Sequence, residues 1–165
     1  MSEQELLEDF KESLGRACLE FVELAASNTF GLGIDIQLIS ELNLESSTFI
    51  ERNFTLAEIE YCRNAQSPAA SFSARWAAKE AVAKAMCNFN LKAGRLSKDM
   101  GDPMIEVEIL PASTKAPELR LYGYAEETAK RLGISEIKIS LTHSGIYAAA
   151  VALAVGSAEF CSAEF

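Results

Sequence analysis

From Gly31 to Ile39 the chain alternates, with apolar Leu32, Ile34, Ile36 and Leu38 separated by Gly33, Asp35 and Gln37. A period of two predicts a strand whose other face carries Asp35. Upstream, residues 3 to 26 space Leu7, Phe10, Leu14, Cys18, Phe21 and Ala25 by three and four. That is an amphipathic helix with an acidic outer face, either docked on the rest of the chain or free as a partner-binding arm. Thr55-Leu-Ala-Glu58 reads as a capping box opening a short helix through Cys62. Ser67-Pro68 signals a second start, Ser at the cap and Pro in the first turn, for a long Ala-rich helix to about Cys87.

Residues 88 to 103 mix Asn, Gly, Asp and Pro without periodicity and are expected to form a mobile loop. An alternating segment follows from Met104 to Leu110, then a strand at Glu118 to Tyr122 and a helix from Tyr124 to Leu132 that stops at Gly133. Strands over 136–142 and 146–155, separated by His143-Ser144-Gly145, complete the pattern as a hairpin. Neighbouring strands joined by short turns, with helices inserted between, predict an α+β domain built on an antiparallel sheet. The expected division is an N-terminal helical extension over 1–30, one domain over 31–156, and a tail over 157–165. The tail repeats Ser-Ala-Glu-Phe and reads as an expression remnant or frayed end.

The size suits one folded unit: 165 residues, 49% of them hydrophobic, bury a real core without staples. Cys18, Cys62, Cys87 and Cys161 lie far apart, with no C-x-x-C pair, and His143 is the lone histidine, so a zinc site is excluded. The acidic start lacks the features of a signal peptide, and the longest apolar run, Ile146 to Val155, is half of what a spanning helix needs. A cytosolic chain with free thiols is expected, and that run is expected to be a buried strand.

Charge is uneven. The net charge of -9 argues against general binding of nucleic acid or anionic membranes. Between Arg75 and Lys98, however, six basic residues face the single acid Glu80. Such a stretch is a solvated helix face, or a site for an anionic ligand such as phosphate. Within it, Glu80 and Lys84 are four apart and project side by side from a helix. They form either an ordinary surface pair or a metal-binding carboxylate beside a phosphate-binding ammonium. Asp35, a carboxylate in an apolar strand, must be paired, metal-bound or solvated, because burying it alone is costly. With Glu80 and Lys84 it can serve an octahedral Mg²⁺ that keeps waters and takes its other ligands from a phosphate. His143, at a strand end, either contacts the same ligand or bonds a local carbonyl.

These residues sit in recognisable blocks. Gly33-Ile-Asp35-Ile, Phe49-Ile-Glu-Arg52-Asn-Phe54-Thr-Leu-Ala-Glu58, Phe72-Ser-Ala-Arg75-Trp-Ala-Ala-Lys79-Glu80-Ala-Val-Ala-Lys84, and Ser140-Leu-Thr-His143 followed by Tyr147-Ala-Ala-Ala-Val appear in that order. Together, over about residues 31 to 155, they resemble holo-acyl-carrier-protein synthase, the small class of 4'-phosphopantetheinyl transferases. The phrase from Phe49 to Cys62 is especially similar to the transferase domain of fungal fatty acid synthase α chains.

The resemblance implies a long helix packed on a small antiparallel sheet. It implies Mg²⁺-dependent transfer of 4'-phosphopantetheine from coenzyme A to a serine of an apo acyl-carrier protein, leaving adenosine 3',5'-bisphosphate. Matched residue by residue, Asp35 and Glu80 fall on the Mg²⁺ ligands and Lys84 on the lysine at the CoA phosphates. Arg75 and His143 fall on residues lining the nucleotide side. Glu80 and Asp35 are both candidates for the base. Free-standing members are trimers with CoA bound between subunits, so a homotrimer is expected, whereas a domain excised from a fatty acid or polyketide synthase can rely on its neighbours. One departure stands out: where the family commonly has a Gly-rich turn, Lys84 leads into Ala-Met-Cys-Asn-Phe-Asn. A catalytically silent CoA-binding scaffold is the alternative, and retention of Asp35, Glu80 and Lys84 weighs against it.

Overall fold

Backbone proximity between one strand and one helix sets the layering. In the computed structural model, which describes residues 30–89, 104–111 and 117–156, strand β1 (Phe30–Leu38) pairs antiparallel with β5 (Tyr147–Gly156). On its other side β5 pairs with β4 (Ile134–Ser144), giving the order β1-β5-β4. The apolar run expected to be a buried strand is therefore the central one. Its Ala148, Ala150, Ala152 and Ala154 are buried on the face covered by the long helix α3 (Pro68–Asn88), which answers with Ala77, Ala78, Ala81 and Ala85.

On β1 the approach is closer still. A Cβ at Gly31 would lie 2.0 Å from the Ala85 carbonyl oxygen, and one at Gly33 would lie 1.9 Å from that of Ala81. That approach decides which face of the strand is inside. The strand is where the alternation placed it, but its glycine face meets the helix, because α3 lies too near for any side chain. Ile34 and Ile36 point outward and are exposed, with Val151 and Tyr147 of β5 beside them.

The other elements follow their local signals with instructive exceptions. Helix α2 (Leu56–Arg63) has the predicted capping box, Thr55 Oγ1 accepting from Glu58 N and Glu58 Oε2 accepting from Thr55 N at 2.8 Å. Pro68 opens α3 as expected, but the Ser67 side chain makes no cap bond. Helix α1 (Ser47–Asn53), capped by Ser46, carries no prediction because seven residues hold too little periodicity to read. It belongs to a second, aromatic core of Phe49, Phe54, Phe72 and Trp76.

Met104–Glu106 forms a 3-10 turn where alternation had predicted strand, and only Val107–Pro111 extends as β2, paired with β3 (Pro117–Leu121) in a separate two-stranded sheet. Glu106 is drawn out of the strand because its carboxylate accepts from Ala125 N at 2.9 Å, capping helix α4 (Gly123–Leu132), whose own N-cap, Tyr122, supplies no side-chain bond. Gly133 ends α4 at φ 75°. The final hairpin is tighter than expected. Ser144 pairs with Tyr147, so the turn is Gly145-Ile146 and His143 lies within β4. The whole is the expected α+β arrangement, a long helix on an antiparallel sheet. The loop expected over 88–103 begins later, because Asn88 still belongs to α3; its residues 90–103, the predicted helix over 3–26 and the tail lie outside the described residues.

Candidate functional site

Because the glycines let α3 run directly beneath β1, side chains from α3 reach round the edge of that strand that no other described strand pairs. Lys84 Nζ lies 2.7 Å from Asp35 Oδ1 and donates to the Ile34 carbonyl at 3.2 Å. One turn later, Asn88 Nδ2 donates to the Leu32 carbonyl at 3.0 Å. These donors occupy outward carbonyls of an edge strand that would otherwise be open to pairing. Glu80, half-buried, precedes Lys84 by one turn of α3. The structure thus brings Asp35 and Lys84 to one sheet edge, with the Lys84 side chain 47% exposed and Asp35 16%, and Glu80 leaves α3 one turn before Lys84.

Among the described residues no three His, Cys, Asp or Glu side chains converge as a ready metal cage. The Asp35 carboxylate at this edge, with Glu80 one turn before Lys84 on the helix, is oxygen-donor chemistry that suits a hard cation that keeps waters and borrows phosphate oxygens, the habit of Mg²⁺.

His143 shares this face. It is opposite Ala148, which is opposite Gln37, while Asp35 is opposite Ala150 and Ala150 opposite Leu141. The width of β5 separates it from β1, roughly 10 Å at the usual strand spacing, and it is exposed. Arg75 departs from the expectation. It precedes Lys84 by nine residues, ~180° round the helix, and is buried on the opposite side. Its Nε donates to the Ile109 carbonyl at 3.1 Å, its Nη1 to Ser71 Oγ at 2.9 Å, and its guanidinium lies 4.2 Å from the Tyr61 ring centre. Those bonds tie α3 to β2 and α2. The basic stretch is therefore no continuous patch: of Arg75, Lys79 and Lys84, only Lys84 reaches solvent, and Lys92, Arg95 and Lys98 lie outside the described residues.

A second ionic cluster went unread in the sequence. Lys79, next to Glu80, is fully buried and pairs at 2.9 Å with Glu58 Oε2, itself fully buried. Lys79 Nζ also donates to the carbonyls of Met104, at 2.8 Å, and of Val107. Glu58 Oε1 accepts from Ile109 N at 3.0 Å. Next to it, Glu108 accepts from Thr55 Oγ1 at 2.6 Å and from the Tyr122 hydroxyl at 2.7 Å. Burial pushes the Lys79 ammonium below its ordinary value, against the pull of Glu58. Burial alone would raise Glu108, but the Thr55 and Tyr122 hydroxyls more than offset it and hold the carboxyl below the usual range. The signal was present in the capping box, whose glutamate has a second oxygen left for a partner.

Known proteins share the family and the fold of this chain. Residues 31–152 match the family model described as the 4'-phosphopantetheinyl transferase superfamily. The chain is 43% identical over 123 residues to the fatty acid synthase subunit alpha of Candida albicans, and these residues make up 74% of the chain but 6% of that relative. The Saccharomyces cerevisiae subunit is 41% identical over the same length, 74% of this chain and again 6% of the relative. Among solved structures, the holo-ACP-synthase of Plasmodium yoelii superposes with a TM-score of 0.62 at 29% identity, covering 78% of this chain and 96% of that one. An ACPS–CoA complex from Chronobacterium ammoniagenes has a TM-score of 0.62 at 27% identity, covering 78% and 98%. The chain belongs to the 4'-phosphopantetheinyl transferase superfamily and is an enzyme of the holo-acyl-carrier-protein synthase type.

Proposed function

We propose that this domain transfers 4'-phosphopantetheine from coenzyme A to a serine of an apo acyl-carrier domain in fatty acid synthesis, with Mg²⁺ and with release of adenosine 3',5'-bisphosphate. The observation that carries the reading is the meeting of Asp35 and Lys84, 2.7 Å apart, at the β1 edge with Glu80 one turn away. Asp35 and Glu80 would hold the metal, which supplies charge neutralisation on the pyrophosphate when bound. Lys84 places its ammonium on the phosphates. The serine oxygen attacks the phosphorus bearing the pantetheine arm, and the bond to the departing nucleotide phosphate breaks. Asp35 or Glu80 takes the serine proton. The protein's work is mostly positioning and electrostatics, as phosphoryl chemistry requires. His143, on the same sheet face, is assigned to the nucleotide side.

The identity to fungal synthase α subunits supports a carrier domain of such a synthase as acceptor. No helix among the described residues is long and apolar enough to cross a membrane. The outward row of Ile34, Ile36, Val151 and Tyr147 supports self-association as a homotrimer when the domain stands alone. Incubation with CoA, Mg²⁺ and apo carrier should add one phosphopantetheine mass to the carrier, read by intact mass spectrometry. Absence of the adduct on every one of several carriers would overturn the reading.

A further inference from the structure

Lys84 does not stand free for a phosphate: it is held by β1, through the Asp35 carboxylate and the Ile34 carbonyl. Asp35 is at the same time one of the two carboxylates assigned to the metal. An ammonium 2.7 Å from Oδ1 and a divalent cation on the same carboxylate lie close enough to repel each other. Before any phosphate arrives, the Asp35 carboxylate already carries the Lys84 ammonium, so a divalent cation bound there meets a positive charge in place. A pyrophosphate reverses the balance, because it supplies negative oxygens to which the four-carbon stem of Lys84 can swing. The stem has room to do so, since the side chain is 47% exposed and the exposed pair is weak.

We propose that Lys84 is an exchangeable counter-ion of Asp35: it competes with the metal in the free protein and hands the carboxylate over when the CoA pyrophosphate draws it away. Metal and CoA therefore bind cooperatively, with Lys84 as the coupling residue, and each raises the affinity for the other by the same factor. The proposal rests on the site assignment given under Proposed function.

The test is a binding measurement on the whole chain with Mn²⁺ as probe, by electron paramagnetic resonance titration, with and without CoA. Wild type should bind Mn²⁺ weakly alone and at least about fivefold more tightly with saturating CoA, the low end of ordinary coupling. Lys84→Met should bind Mn²⁺ alone more tightly than wild type by about that factor, and CoA should tighten it less than it does in wild type, the remaining coupling being direct ligation of the metal by the pyrophosphate. Lys84→Gln, which can still donate to the Ile34 carbonyl, should behave likewise and covers the case in which Lys84→Met does not fold. Asp35→Asn should lose Mn²⁺ binding in either background. Unchanged Mn²⁺ affinity in both Lys84 variants would overturn the exchange while leaving the transferase reading intact, provided wild type still modifies a carrier. Failure of wild type both to bind Mn²⁺ in the presence of CoA and to modify any carrier would overturn both.

Discussion

Helix α3 carries two lysines five residues apart, each paired with a carboxylate from another element, and the two pairs do opposite things. Lys79 and Glu58 meet at 2.9 Å with no exposed side-chain surface, ringed by the carbonyls of Met104 and Val107 and the amides of Thr55 and Ile109. Lys84 and Asp35 meet at 2.7 Å at an open sheet edge. Five residues turn the helix by ~140°, so the lysines leave on different sides, one into protein and one toward water. Where water is excluded, opening the pair strands two charges, and the contact acts as a staple joining α2, α3 and β2. Where water is present, opening costs little, and the pair is free to be exchanged for a ligand.

The largest effect should come from breaking the staple. Lys79→Ala leaves Glu58 buried and uncompensated and should lower stability by about 3–5 kcal/mol, measured by chemical denaturation. A loss below about 1 kcal/mol would mean that solvent reaches the pair. Gly33→Ala should come next, because its Cβ would lie 1.9 Å from the Ala81 carbonyl and must push β1 off α3. Overpacking of this kind costs about 1–3 kcal/mol, and here it should also impair transfer by separating Asp35 from Lys84. A variant as stable and active as wild type would show that the approach is looser than described.

Tyr122→Phe should have a smaller, pH-dependent effect. The folded-state value of Glu108 lies below its ordinary 4.5, so its stabilising contribution is present above that value and disappears as pH falls through the folded one. Removing the Tyr122 donor raises the folded value, so wild type and variant should differ most near neutrality and converge in acid. A difference that persisted unchanged at pH 2 to 3 would point instead to lost packing. The smallest stability change belongs to the exposed pair. Lys84→Ala should move stability by less than about 1 kcal/mol, and Lys84→Ala and Glu80→Ala should each reduce transfer at least about tenfold. Full activity in both would place the site elsewhere.

Local signals accounted for much of the fold. The capping box of α2, the Pro68 start of α3, the Gly133 stop and the alternation in β1 each rest on short-range geometry that the residues themselves impose. The errors arose where distant chain segments compete. Glu106 reads as a strand residue until α4 needs a cap, and Arg75 reads as part of a basic patch until the Ile109 carbonyl and Tyr61 claim its guanidinium. Glu80 and Lys84 share a helix side by arithmetic alone, whereas the contact of Lys84 with Asp35 depends on strand and helix lying within reach.

By itself the sequence determined the type and order of most elements, the family blocks and the chemical candidates, because periodicity, capping and residue chemistry are local. Only the tertiary structure decided which face of β1 is inside, which lysine of α3 is structural and which is available to a ligand. Those outcomes turn on how near α3 lies to β1 and where water is excluded, and neither is a property of any stretch of chain read alone.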